Sequence, residues 1–158
     1  MNALLLDTNV WLDYHFAERP GHSDAFSLID AALNNDISLL IASHSVKDFW
    51  YIFWQHNKIQ SELHDGLPIE EASLVAKRMA WAFTEQIVQI ATVVGSDASD
   101  AWLALKMQNT HDDYEDNLVV AAALRAKPRL LVTNDQTLLT RCPVAAATPQ
   151  DALSFLEL

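Results

Sequence analysis

The chain has 158 residues, 51% of them hydrophobic, with a single cysteine and a formal net charge of −11. This length and apolar share fit one domain with a sizeable core and exclude a disordered chain. No apolar run approaches the roughly 20 residues that a membrane-spanning helix needs. The acidic balance argues against a broad passive nucleic-acid surface, which carries a basic footprint. It is compatible with a site whose own carboxylates gather a cation.

Ala3–Leu6 reads as a short buried strand, entered without a charged leader, so no signal peptide is expected. Ser23–Asn34 reads as a helix with Ser23 as its candidate N-cap. Ile37–Ala42 reads as the second strand. Val46–Asn57 follows as a helix with Phe49, Trp50, Phe53 and Trp54 at helical spacing. Pro68 opens a long helix over Ile69–Ile90. Thr92–Val94 reads as a short strand, and Asp100–Gln108 as a helix capped by Ser96 or Ser99. Tyr114–Ala126 is Ala-rich and helical, Arg129–Thr133 a strand, Gln136–Thr140 a short helix and Val144–Ala146 a strand. Thr148-Pro149-Gln150-Asp151 caps a last helix that runs into Phe155. Strands alternating with helices point to an α/β fold with a parallel sheet covered on both faces. With three glycines and five prolines there is no linker, and residues 1–158 are expected to form one domain. The lone Cys142 permits no internal disulfide, which suits a cytoplasmic protein.

The chemistry lies in the acids. Asp7 follows Leu4-Leu5-Leu6 and opens Asp7-Thr8-Asn9-Val10, and Asp135 closes Thr133-Asn134-Asp135 after Leu130-Leu131-Val132. Ligands of open parallel sheets bind beyond the carboxyl ends of the strands, so these two acids are expected to be neighbours. Asp113 and Asp116 bracket Tyr114-Glu115 at a helix start. Three residues apart, they share a face and can present two carboxylates to one ion. Asp48 follows the apolar segment ending near Ala42. Each acid also has a structural reading, because Asp after a strand or before a helix often caps backbone N–H groups. Thr8 and Asn9 add oxygens beside Asp7, the hard-ligand chemistry that Mg²⁺ and Mn²⁺ prefer.

At these residues the chain resembles the PIN-domain family, in particular its small VapC-type ribonucleases. The matching elements are Asp7-Thr8-Asn9-Val10, Asp48, Asp113-Tyr114-Glu115-Asp116 and Thr133-Asn134-Asp135, in the family's order and over nearly the whole chain. The resemblance implies a PIN-like three-layer α/β/α sandwich with a central parallel sheet. It also implies a Mg²⁺ or Mn²⁺ cofactor and RNA cleavage by a metal-activated water. Asp7, Asp116 and Asp135 would hold the metal, and Asp48 would join them in catalysis. Thr8, Asn9, Asp113, Thr133 and Asn134 would support the site. The family's second acid is usually Glu. Asp48 is one methylene shorter and is expected to reach the metal through water. The same resemblance implies the toxin half of a toxin–antitoxin pair, with an antitoxin partner, an RNA substrate and a homodimer; part of the aromatic helix that carries Trp50, Phe53 and Trp54 is expected in the dimer or antitoxin contact.

Other chemistry fits less well. His44, His56, His64 and His111 match no compact zinc spacing. His111, beside Asp112, reads as a solvated loop histidine in preference to one that approaches the acidic site. No Gly-rich phosphate loop is present. An aspartyl-nucleophile phosphatase of the haloacid-dehalogenase type would want a second Asp two residues after Asp7, where Asn9 stands. A non-catalytic α/β interaction module remains the alternative from a different class. Phe49, Trp50, Tyr51, Phe53 and Trp54 read as core or subunit contact in preference to a base-stacking platform. Lys47, Lys58, Lys77, Arg78, Arg125, Lys127 and Arg129 read as solvated charges rather than one basic patch.

Overall fold

The computed structural model describes residues 2–109 and 111–156. In chain order the elements are β1 (Ala3–Leu6), α1 (Thr8–His15), α2 (His22–Asn34), β2 (Ser38–Ala42), α3 (Ser43–Leu63), α4 (Ile69–Ile90) and β3 (Ala91–Val94). They continue with α5 (Ala98–Lys106), α6 (Tyr114–Ala126), β4 (Leu130–Val132), α7 (Gln136–Arg141), β5 (Ala146–Ala147) and α8 (Pro149–Leu156). The five strands form one sheet in the order β3-β2-β1-β4-β5, every neighbouring pair parallel.

Alternation along β1 builds two cores. Leu4 and Leu6 face one side, with Val10 and Trp11 of α1, Leu28 and Ile29 of α2, Phe49 and Phe53 of α3, and Ile87 of α4. Ala3 and Leu5 face the other, with Val119, Ala122 and Ala123 of α6. Side chains of successive strand residues point to opposite faces, so a strand buried on both sides is apolar throughout. All four β1 residues are buried. The result is a three-layer α/β/α sandwich, as expected. Lys127 takes φ +50°, the left-handed C-cap that turns α6 back toward β4.

Several local expectations need correction. Residues 8–15 form α1, a helix that carried no sequence expectation. The second helix starts at His22 after Gly21, with no side-chain cap, so Ser23 lies inside it. Asp97, rather than Ser96 or Ser99, caps α5 in a capping box with Asp100. That box satisfies two orphan amides together, which a lone serine cannot do. The aromatic helix is longer than expected, and Phe49 and Phe53 are wholly core. Phe53 is therefore not available to a partner. Trp50 and Trp54 are half-buried, pack on each other, and meet Trp81 and Lys77 of α4. Three of the cations pair with nearby acids: Lys47 with Asp48, Lys58 with Glu62, and Arg125 with Asp97 and Asp100. Among the described residues, no helix is long and apolar enough to cross a membrane.

Candidate functional site

The register of β1 with β4 sets Leu6 beside Val132. The next residues, Asp7 and Thr133, therefore leave the sheet side by side, and Asp7 N–H donates to Val132 O at 3.0 Å. β1 lies between β2 and β4, and the chain order reverses there. This is the switch point at which open α/β sheets leave a crevice.

Asp7 is buried yet accepts three hydrogen bonds. Thr8 N–H donates to Oδ1 at 2.6 Å, while Asn9 Nδ2 and the Thr133 hydroxyl donate to Oδ2 at 2.6 and 2.7 Å. Burial raises its pKa above the usual carboxylate range, and the nearby Asp135 charge adds to this against those three donors. Asn9 also spans the crevice, because Asn134 N–H donates to its Oδ1 at 3.2 Å. Asn134 is held in turn, its Nδ2 donating to Asp13 Oδ2 at 2.7 Å. Asp13 is buried, and its other oxygen accepts from Arg19 Nε. Gly21 is required here, since a Cβ would collide with the Asp13 carboxylate.

A cleft of about 190 Å³ is lined by Asp7, Asn9, Ser45, Asp48, Glu115 and Asp116, among others. At roughly 30 Å³ per water, it admits a hydrated cation and is smaller than the roughly 300 Å³ of ordinary ligand pockets. Asp116 has its pKa raised to about 6, first by burial and then by the Asp7 charge. Asp48 is buried, with Oδ1 2.6 Å from Lys47 Nζ. Ser45 Oγ is buried and unpaired. His44 is held below the ordinary histidine range by burial.

Asp135 is not part of the cleft wall. It caps α7 by accepting from Leu138 N–H at 2.8 Å, and its own N–H donates to Thr133 Oγ1 at 3.0 Å. It meets Asp116 through His111, whose Nε2 lies 3.0 Å from Asp116 Oδ2 and 3.5 Å from Asp135 Oδ1. One ligand atom from each of His111, Asp116 and Asp135 lies within 4.8 Å of the other two. His111 is thus buried at the acids rather than solvated beside Asp112, a correction to the sequence expectation. Asp113 is exposed and caps α6 through Glu115 N–H at 2.8 Å. Its carboxylate raises the Asp116 pKa by charge alone.

The capping readings and the clustering hold together, because Asp7, Asp113 and Asp135 all cap helices. Helix starts aimed at one crevice bring their caps into one place. No lysine or arginine among the described residues pairs with Asp7, Asp116 or Asp135. A partly buried, oxygen-rich set with no cationic side chain of its own fits a hard divalent cation. Sequence reasoning missed Ser45 and Asp13, and set His111 aside in favour of a solvated loop. Burial of a loop histidine and a tie between positions 13 and 134 leave no local signal.

Several solved structures resemble this fold, two of them bacterial VapC-type proteins. A chain of VapBC2 from Rickettsia felis, bound to a promoter DNA fragment, matches at TM-score 0.63 with 12% identity over 92% of this chain and 98% of that one. VapC20 of Mycobacterium tuberculosis, a sarcin-ricin loop cleaving toxin, matches at TM-score 0.57 with 14% identity over 81% of this chain and 86% of that one. No curated protein sequence matches the chain. Residues 3–137 match the PIN domain, and together with the parallel α/β/α sheet and the acids at its switch point this establishes that the chain belongs to the PIN-domain family.

Proposed function

We propose that this chain is a Mg²⁺- or Mn²⁺-dependent ribonuclease, one catalytic domain over residues 1–158, and the toxin of a toxin–antitoxin pair. The observation that carries this reading is the convergence of Asp7, Asp48 and Asp116 on one cleft, with Asp135 joined to Asp116 through His111. Asp7, Asp116 and Asp135 hold the cation. A divalent cation bound there supplies an acidified water and offsets charge on the leaving oxygen of a phosphodiester. Asn9, Thr133 and Asn134 fix the Asp7 carboxylate across the crevice. Thr8 contributes its amide. Asp48 takes part from the opposite wall.

Asn9 stands two residues after Asp7 and donates to its Oδ2, so the second acid that an aspartyl-nucleophile phosphatase places there is absent. RNA substrate and antitoxin partner rest on family membership and on the neighbours' described activities. A homodimer using the α3–α4 surface is part of the same proposal. Tyr51 and Ile52 of α3 and Trp81 of α4 are exposed there, and apolar patches of this kind mark partner sites.

The test is cleavage of structured RNA by purified protein with Mg²⁺, with Mn²⁺ and with chelator. Cation-dependent cleavage that Asp7→Asn removes supports the reading. Cation binding without cleavage of any RNA favours the non-catalytic module, and phosphate trapped on Asp7 favours the phosphatase. Sedimentation at micromolar concentration tests the dimer, which a monomer defeats.

A further inference from the structure

His111 precedes α6, and the cleavage proposed above gives it no chemical role of its own. Its side chain is nine-tenths buried, at 9% exposure. Three contacts fix it. Its N–H donates to Met107 O at 3.1 Å, Asn117 Nδ2 donates to its carbonyl at 2.8 Å, and Asp113 N–H donates to its Nδ1 at 3.0 Å. The third contact decides the tautomer. An amide N–H only donates, so Nδ1 must offer its lone pair, and the proton of a neutral ring sits on Nε2. That Nε2 lies 3.0 Å from Asp116 Oδ2 and 3.5 Å from Asp135 Oδ1. Neither approach is aligned as a hydrogen bond, so the nitrogen is buried with no aligned partner. A buried unpaired N–H is costly, and a small carboxylate rotation would satisfy it.

An imidazole at this position either ligates a cation or orients its ligands. Metal-ligating histidines usually donate their second ring N–H to a carboxylate or carbonyl. At His111 the second nitrogen faces an amide N–H, the opposite polarity. Ligation through Nε2 would move a proton onto Nδ1, against that amide. We propose that His111 is a positioning residue whose Nε2–H bridges Asp116 and Asp135, holding carboxylates from two separate elements in register for one cation without ligating it. The inference rests on the cation site proposed above. It leaves an oxygen-only ligand set, the choice of hard cations over those that favour imidazole.

Two measurements test it. Ring-nitrogen NMR at about pH 8, where free imidazole is neutral, reads the tautomer in the metal-free protein and after Mg²⁺ is added. The Nε2–H form is expected in both states. A switch to Nδ1–H on adding Mg²⁺ overturns the proposal in favour of ligation. Calorimetry of Mg²⁺ and Mn²⁺ binding then compares wild type with His111→Leu, which removes the donor, and His111→Gln, which keeps an N–H near the Nε2 position. His111→Leu is expected to weaken binding about 10- to 100-fold, and His111→Gln to stay within about threefold of wild type. Equal weakening by both variants, or by neither, overturns the bridge. Wild-type protein that binds no divalent cation overturns the cation site itself, a different outcome from wild-type binding that His111→Leu leaves unchanged. Amide spectra show that each variant is folded, and the tautomer measurement needs no variant.

Discussion

Asp97 and Asp100 at the start of α5 are the same kind of residue, in the same kind of position, as Asp7, Asp116 and Asp135 at the starts of α1, α6 and α7. Their surroundings differ. Asp97 and Asp100 share Arg125, whose Nη2 lies 2.7 Å from an oxygen of each. Ser99, through its amide and hydroxyl, and Arg125 hold Asp97 well below the usual carboxylate range. In the other group no lysine or arginine arrives among the described residues, and Asp7 and Asp116 shift upward. Arginine keeps its charge at any relevant pH and offers a planar fork for carboxylates. The chain neutralises one set of acids with its own arginine and leaves the other without a lysine or arginine partner among the described residues. Compensation, more than the presence of Asp at a helix start, separates a structural cluster from a candidate catalytic one.

The comparison breaks most sharply at Asp7. Asp7→Asn keeps the volume and removes the charge, so RNA cleavage is expected to be abolished. The fold should survive, because the lost charge is buried and close to other acids, and its removal relieves the metal-free protein. A cleavage assay with circular dichroism on the same sample checks both halves. Cleavage at the wild-type rate defeats the assignment.

A second effect follows from Asp116. Its pKa rises from 3.8 to about 6, so the folded state holds this proton more tightly than the unfolded chain does. The metal-free protein should therefore lose stability as pH rises from about 4 to about 6 through this group. Bound Mg²⁺ should restore it at neutral pH, and cation affinity should fall as pH drops through about 6, because the proton competes. Half-buried His15 and His44 have lowered pKa values and act in the opposite sense as pH approaches 6.5. The quantity to measure is thus the Tm difference between wild type and Asp116→Asn across this range. A difference that does not change with pH removes the uncompensated cluster from the comparison.

The sequence carried the positions of the acids, because strand ends and helix starts follow from apolar runs and caps. Mutual repulsion of converging acids is only part of their raised pKa, since burial is the larger cause at both Asp7 and Asp116. Burial depends on packing that no local pattern encodes. The same limit hid α1, eight residues too short to establish a period. It set His111 aside as solvated, because its environment is made by Met107 and Asn117, and it hid the tie from Asp13 to Asn134. In the α5 cap, Ser96, Asp97, Ser99 and Asp100 compete within five residues, and only the reciprocal bonds of the capping box decide among them. Phe49 and Phe53, four residues apart, did behave as a core stripe, while Trp50 and Trp54 on the flank are half-buried.

The compensated cluster supplies the third test. Arg125→Leu leaves Asp100 buried without its partner and Asp97 without its cation. Breaking such a pair costs stability because a desolvated charge remains. Tm should fall by several degrees, with RNA cleavage and cation affinity unchanged. Lost cleavage in a still-folded Arg125→Leu protein would show that the two clusters are not separate in role.

Asp48 stands between the two cases, and the smallest effect is expected there. It lines the cleft with Asp7 and Asp116, yet it has a cation of its own in Lys47. The Lys47 side chain is 74% exposed, so this pair is screened and weakly held. It can open when a divalent cation competes for the carboxylate. Asp is also one methylene shorter than the Glu usual at this position, which favours contact through water over direct ligation. Asp48→Asn should therefore reduce cleavage by about tenfold, the scale of an outer-layer ligand contact, where Asp7→Asn removes it. Lys47→Met should leave cleavage intact or raise it slightly, since it frees the carboxylate. Measured side by side at saturating Mg²⁺, an Asp48→Asn loss equal to that of Asp7→Asn would make Asp48 a direct ligand or the base that activates water. Lost cleavage in Lys47→Met would mean that the lysine belongs to the substrate contact rather than to Asp48.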